Sequence, residues 1–151
     1  MLQLNLPPYD FNIKKQNDNV MIFDCFRNRF VVLTPEEWVR QNFLQYLLVE
    51  KKFPKSLMAV EKMLLVNGTR KRFDALVYNK QAVPIMILEF KAPNVAISQK
   101  VFDQAAVYNH VVKAKFMIAS NGMEHYFCEI KSDGTGYDFK NEIPNFIEVC
   151  Q

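Results

Sequence analysis

The sequence is poor in the residues that most often announce a cofactor, a metal knuckle or an export signal. Glycine occurs only four times in 151 residues. Two of the four fall in Asp133-Gly134-Thr135-Gly136, which has no strand-loop-helix frame around it and is expected to be a turn rather than a phosphate-cradling loop. The three cysteines, Cys25, Cys128 and Cys150, are far apart and odd in number. They argue against a disulfide framework, match no zinc or redox spacing, and are expected to be buried or free thiols. The two histidines, His110 and His125, stand alone and are assigned no chemistry. There is no charged-then-apolar leader and no apolar run long enough to span a bilayer. The expected location is therefore cytoplasmic, with no membrane partner. Charge of one sign is also scarce: 19 basic against 16 acidic residues leave a net charge of +3. That permits nucleic-acid binding without requiring it. No internal repeat is evident.

What is present is enough for a core. Half the residues are apolar and 13% are aromatic, in a length typical of one domain. We expect residues 1–29 to form an N-terminal arm and first hairpin within the domain whose body is 30–151. Pro7-Pro8 and the polar run from Lys14 to Asn19 suggest an arm and a turn. Met21–Asp24 and Phe30–Leu33 suggest a hairpin. Thr34-Pro35-Glu36-Glu37 is a helix start, with Thr34 as cap, Pro35 in the first turn and Glu37 completing a capping box. That helix should run to about Lys51. A strand is expected over Leu57–Val66, a second helix from about Gln99 to Val112 with Ser98 as cap, and strands at Phe116–Ser120 and His125–Ile130. The tail from Glu142 is expected to be a short strand or extended. The order is helix, three strands, helix, two strands. A helix between the Lys91 and Phe116 strands implies a parallel crossover. The expected fold is α/β, a mixed central sheet flanked by helices.

The chemistry concentrates between Arg70 and Pro93. Two apolar runs, Phe73–Tyr78 and Pro84–Phe90, flank a polar break and form an expected hairpin. Ile85-Met86-Ile87-Leu88 runs without alternation, as in a strand covered on both faces. Yet Asp74 opens the first strand, and Glu89 and Lys91 close the second. Side chains two apart share a face, so Glu89 and Lys91 go together. With Tyr78 against Ile85, Leu76 meets Ile87 and Asp74 meets Glu89, on the face of Leu76 and Tyr78. Two carboxylates and an ammonium then converge at one end of the hairpin. A lone buried carboxylate is costly, and hard oxygen donors with water suit Mg²⁺. Taken singly, an Asp or a Glu-x-Lys is more often a solvated strand end; the apolar flanks favour a site. Glu36, at the helix start, is read from spacing as favourable charge at a helix N-terminus.

These residues in this order resemble the PD-(D/E)XK nuclease superfamily. More narrowly, the chain resembles the N-terminal nuclease domain of the motor/restriction subunit of type I restriction enzymes. The resemblance is carried by Thr34-Pro35-Glu36-Glu37-Trp38-Val39-Arg40, Arg72-Phe73-Asp74, Glu89-Phe90-Lys91-Ala92-Pro93, Gln104-x-x-x-Tyr108-Asn109 and Ser120-Asn121-Gly122, over residues 30 to 130 or so. It implies a restriction-endonuclease-like fold and a Mg²⁺-dependent DNA endonuclease, with Mn²⁺ able to serve. Asp74 and Glu89 would hold the metal, with the backbone carbonyl of Phe90 as a further ligand and Glu36 assisting. Lys91 would position the attacking water and offset phosphate charge. Arg40 would hold a phosphate or brace Glu36. Gln104 and Tyr108 would support the site and contact DNA, joined by Arg70, Lys71 and Arg72. Phe73 stands where many members have Pro. No P-loop occurs in the sequence, so the expectation is a free-standing relative, a component of another system, or a decayed nuclease that only binds, with a homodimer or other restriction or defence proteins as partners.

Two rival readings are kept. One is a catalytically silent nucleic-acid-binding or assembly domain on the same fold. The other is a protein-interaction domain using Trp38 and Tyr126, although a tryptophan beside a helix start is more often a packing anchor.

Overall fold

A computed structural model of the chain describes residues 1–133 and 135–151. Three short strands come first: β1 (Ile13–Gln16), β2 (Asn19–Asp24) and β3 (Arg29–Val32). They pair antiparallel into a small sheet of their own. Helix α1 (Pro35–Val49) follows, then β4 (Met58–Val66), β5 (Thr69–Tyr78), β6 (Pro84–Phe90), α2 (Gln99–Val112), β7 (Phe116–Ser120), β8 (His125–Ile130), β9 (Tyr137–Lys140) and a one-turn helix α3 (Phe146–Val149). Strands β4 to β9 form one six-stranded sheet in sequence order. All neighbours are antiparallel except β6 and β7, which run parallel across the α2 crossover.

The sheet lies between two helices. Val39, Phe43, Leu44 and Leu47 of α1 pack with Ala75, Val77, Met86, Leu88, Phe90 and Ile118. Phe102, Ala105 and Val112 of α2 pack with Leu76, Ile87, Met117, Ala119 and Cys128 on the other face. The uninterrupted run Met86-Ile87-Leu88 is fully buried because it serves both cores. Each such side chain contributes about 1.5–3 kcal/mol of burial.

Several local expectations are corrected. Thr34 does cap α1, its hydroxyl accepting the Glu37 N–H at 3.0 Å. The capping box does not close. The Glu37 carboxylate turns to Arg27 and Arg40 instead, since a charged donor outcompetes a neutral amide. The Thr34 N–H meets the Val32 carbonyl at 3.1 Å. Ser98 makes no side-chain cap at α2. The tail is helical at α3 rather than extended, and it buries Phe146 and Val149, three residues apart on one face. Strand β9 was not expected; its alternation is too short and polar to stand out beside the turn before it. Within that turn Gly134 lies outside the described residues, and Asp133 accepts both the N–H (2.9 Å) and the hydroxyl (2.6 Å) of Thr135.

The hairpin register is the expected one at its site end only. Ala75 pairs with Leu88, Leu76 with Ile87 and Val77 with Met86, but Tyr78 pairs with Pro84 instead of Ile85 across a bulge. The extra residue is absorbed next to the loop, where Pro84 has no N–H to add to the ladder.

Candidate active site

The β5–β6 ladder ends at Ala75–Leu88. One residue further on, the backbone of β5 no longer supplies the acceptor. The Phe90 N–H donates instead to the Asp74 carboxylate, at 2.7 Å. On the other side of β6, the Lys91 N–H donates to the Ser120 carbonyl at the end of β7, at 2.9 Å. Asp74 therefore stands in the fork where β5 parts from β6, beside the last residues of β6.

Strict alternation fails at this point. Phe73 and Leu76, three apart, both lie in the core under α2, while Ala75 and Val77 face α1. Asp74 thus does not follow Leu76 and Tyr78 to one face, as alternation alone predicted. Opposite it on β4, between the Val60–Ala75 and Lys62–Phe73 pairs, Glu61 adopts a left-handed φ of 51°. For a non-glycine residue that costs about 1–2 kcal/mol. The irregularity turns Asp74 toward α1.

The carboxyls of Asp74 and Glu89 lie close enough to act on each other. Burial, followed by the neighbouring Asp74 charge, pushes the Glu89 carboxyl up to about 8, with Lys71 and Lys91 pulling in the opposite direction. Glu36 feels the same centre. Its carboxyl is raised by burial and then by Asp74, and lowered by Arg40 and Lys91. Its side chain is still 46% exposed, at the edge of the cluster rather than within it. Asp74, Glu89, Lys91 and Glu36 are thus brought within electrostatic reach of one another. No set of three or more His, Cys, Asp or Glu side chains among the described residues is close enough to enclose a metal ion. The donor chemistry nonetheless suits Mg²⁺, which takes hard carboxylate oxygens such as the two brought together here.

Behind these residues lies an ion network that sequence reasoning missed. Arg40 is only 6% exposed. It binds Glu37 of its own helix and lies 3.5 Å from Glu61, 3.6 Å from Asp74 and 3.8 Å from Glu36. Arg27, from the β2–β3 turn, binds Asp24 and Glu37 and reaches Glu61 at 3.0 Å. Gln41 donates to Glu37 at 3.0 Å. Arg40 is therefore not free to hold a phosphate. It braces Asp74 and Glu37 more closely than Glu36. The helical spacing of Glu37 and Arg40, and a charge at Glu61 inside an apolar strand, were visible signals; Arg27 offered none.

On the α2 side, Gln104 is exposed, with its amide 3.5 Å from the Tyr108 hydroxyl. The Lys71 ammonium sits 4.7 Å above the Tyr108 ring and 5.8 Å from Phe73. Arg70 and Arg72 are exposed on the β4–β5 ribbon, paired with Leu65 and Met63. Among the three basic residues only Lys71 turns to the site. His110 is exposed. His125 is held between the Ser120 hydroxyl (2.7 Å) and the Asn5 carbonyl (2.8 Å). The Trp38 indole N–H donates to the Leu2 carbonyl at 2.9 Å, and its ring packs edge-on with Phe11. No helix is long and apolar enough to cross a membrane among the described residues.

A family model described as the type I restriction enzyme R protein N terminus (HSDR_N) matches residues 35–144. Among solved structures, one match is a fragment described as an HsdR subunit of a type I restriction enzyme from Vibrio vulnificus YJ016. It aligns with a TM-score of 0.55 and 20% identity over 78% of this chain. That likeness is one of fold: a mixed sheet with helices on its faces. The chain spans 25% of the length of that structure. A comparison with curated proteins returned no match.

Proposed function

The chain belongs to the type I restriction enzyme R protein N-terminus family, and we propose on that footing that it is a Mg²⁺-dependent DNA endonuclease of the PD-(D/E)XK kind. The observation that carries this reading is the meeting of the Asp74 and Glu89 carboxyls in the fork of β5 and β6, with Lys71 and Lys91 both acting on Glu89. Two acids pressed together at a strand end call for a cation.

Asp74 and Glu89 hold the metal, with the Phe90 carbonyl as a third donor and Glu36 assisting from the helix start. A bound Mg²⁺, or Mn²⁺ in its place, supplies Lewis acidity toward the phosphate and lowers the pKa of water. Lys91 orients the attacking water and offsets charge on the phosphate as it develops. Arg40 fixes the Asp74 carboxylate through its second oxygen, leaving less freedom to lose on binding. Lys71 and Gln104 beside the site, and Arg70 and Arg72 along the other face of the ribbon, contact the DNA, chiefly its backbone, so binding weakens with salt, with Tyr108 in a supporting role. Partners in this reading are DNA and other restriction or defence proteins, or a second copy of the chain, in the cytoplasm.

A second reading, a catalytically silent DNA-binding domain, is favoured by one observation. Burial and the neighbouring Asp74 hold a proton on Glu89 up to about pH 8, which competes with a metal. The deciding experiment is cleavage of supercoiled and linear duplex with Mg²⁺ or a chelator. Wild type should cut only with the metal, Asp74→Ala and Lys91→Ala should not cut, and all three should bind DNA alike. Equal cutting by wild type and Asp74→Ala would reject the assignment. Binding with no cleavage by any form would establish the silent reading.

A further inference from the structure

We propose that Lys71 is a phosphate-binding residue of the candidate site and that Tyr108 is its positioning residue, acting through the face of its ring rather than its hydroxyl. The inference rests on the DNA-binding part of the reading above, but not on cleavage.

The guanidinium groups near Asp74 are already engaged. Arg27 and Arg40 are bound to Asp24, Glu37 and Glu61. Among the described residues Lys71 joins no ion pair. Its ammonium is placed by aromatic faces, 4.7 Å over Tyr108 and 5.8 Å from Phe73. Tyr108 and Phe73 meet edge-to-face with centroids 6.2 Å apart. This orders a flexible side chain without neutralising it, because a ring face attracts a cation and adds no formal charge. A lysine held by a carboxylate would lose part of its pull on phosphate; Lys71 is held by a ring and feels Glu89 only from beyond ion-pair distance. Its neighbours Arg70 and Arg72 alternate to the opposite face of the ribbon. Among the described residues the Tyr108 hydroxyl has one hydrogen-bond partner, the exposed Gln104 amide at 3.5 Å.

The test is binding of the full chain to a short duplex in a chelator, where no cutting occurs, titrated with salt. Lys71→Met should lower affinity and reduce the slope of log affinity against log salt by about one. Tyr108→Phe should bind as wild type. Tyr108→Leu should reproduce Lys71→Met, and the double variant should be no worse than either. Upfield-shifted Lys71 methylene proton resonances, kept in Tyr108→Phe and lost in Tyr108→Leu, read the same contact without DNA. A wild-type salt slope in Lys71→Met would overturn the proposal while leaving the nuclease reading intact, as would a loss of affinity in Tyr108→Phe equal to that in Tyr108→Leu. A wild-type chain that binds no DNA would overturn both.

Discussion

One amino group of Arg40 lies 3.6 Å from a carboxylate oxygen of Asp74, and the other is bound to Glu37. This single guanidinium ties the first turns of α1 to the fork of β5 and β6. Arg40→Met would take one of two arginine partners from Glu37, itself only 8% exposed, leaving it Arg27 and Gln41. Removing one member of a buried ion pair costs about 3–5 kcal/mol. Urea denaturation should show a loss of that order. Glu37→Gln with Arg40→Met should cost less than the sum of the two single changes; strict additivity would mean that the pair does not interact.

Arg27 does the same for the small N-terminal sheet. Its contacts to Asp24, Glu37 and Glu61 connect the β2–β3 turn to α1 and β4. In Arg27→Gln, amides of β2 and β3 should exchange with solvent tenfold or more faster, for about 1.5–3 kcal/mol lost with charged hydrogen bonds. Amides of β6 and β7 should be less affected. Uniform acceleration throughout would show that Arg27 acts on global stability alone.

The Glu89 carboxyl is held above its ordinary value of 4.5, at about 8, by burial and by Asp74. The folded state therefore keeps a proton that the unfolded state has released. That contribution to stability is fully present below about pH 4.5 and is lost as pH rises through about 8. In chelator, unfolding free energy should decline over this window, and Glu89→Gln should flatten the decline. If Asp74 and Glu89 hold a divalent cation, added Mg²⁺ should stabilise the protein more at pH 8 than at pH 6, because binding displaces the proton. A Tm gain from Mg²⁺ that is the same at both pH values would argue against coordination by this pair.

Gly122 has a φ of 85°, and a Cβ built there would stand 2.7 Å from the Leu4 Cδ2. Leu4 is buried, and the Asn5 N–H donates to the Gly122 carbonyl at 2.8 Å. Gly122→Ala should displace Leu4, cost about 1–3 kcal/mol and expose the first residues to protease. An N-terminal peptide cut no faster than in wild type would show that the arm has room to shift.

The Cys128 thiol is fully buried between β7 and β9, and burial pushes it up to about 12. Thiolate is the reactive form. Cys150 is exposed and should be alkylated promptly in the native protein, whereas Cys128 should react only after unfolding. Mass spectrometry of native and denatured samples separates the two. Native labelling of Cys128 at the rate of Cys150 would contradict its burial.

Much of the fold was legible because its signals are local. Thr34-Pro35 starts α1 by backbone geometry alone. The unbroken apolar run of β6 predicts a strand covered on both faces, and the spacing of β6, α2 and β7 predicts a parallel crossover. The neighbourhood of Asp74 and Glu89 follows from one hairpin register, which the bulge at Tyr78 left undisturbed at the site end, whereas period two put Asp74 on the wrong face. Strand β9 and helix α3 were not legible. Both are short, and partners far along the chain decide their state.

By itself, then, the sequence determined which elements form and which acids end up beside each other in the hairpin, because helix caps, strand periodicity and register act over a few residues. Only the tertiary structure decided that Glu37 rather than Glu36 is the buried helix acid, that Arg40 braces Asp74, that Arg27 joins them from another sheet, and that Lys71 alone of its triplet faces Tyr108. Those choices depend on Coulomb attraction and desolvation between groups ten to forty residues apart, and such forces are settled only when packing removes water from around the charges.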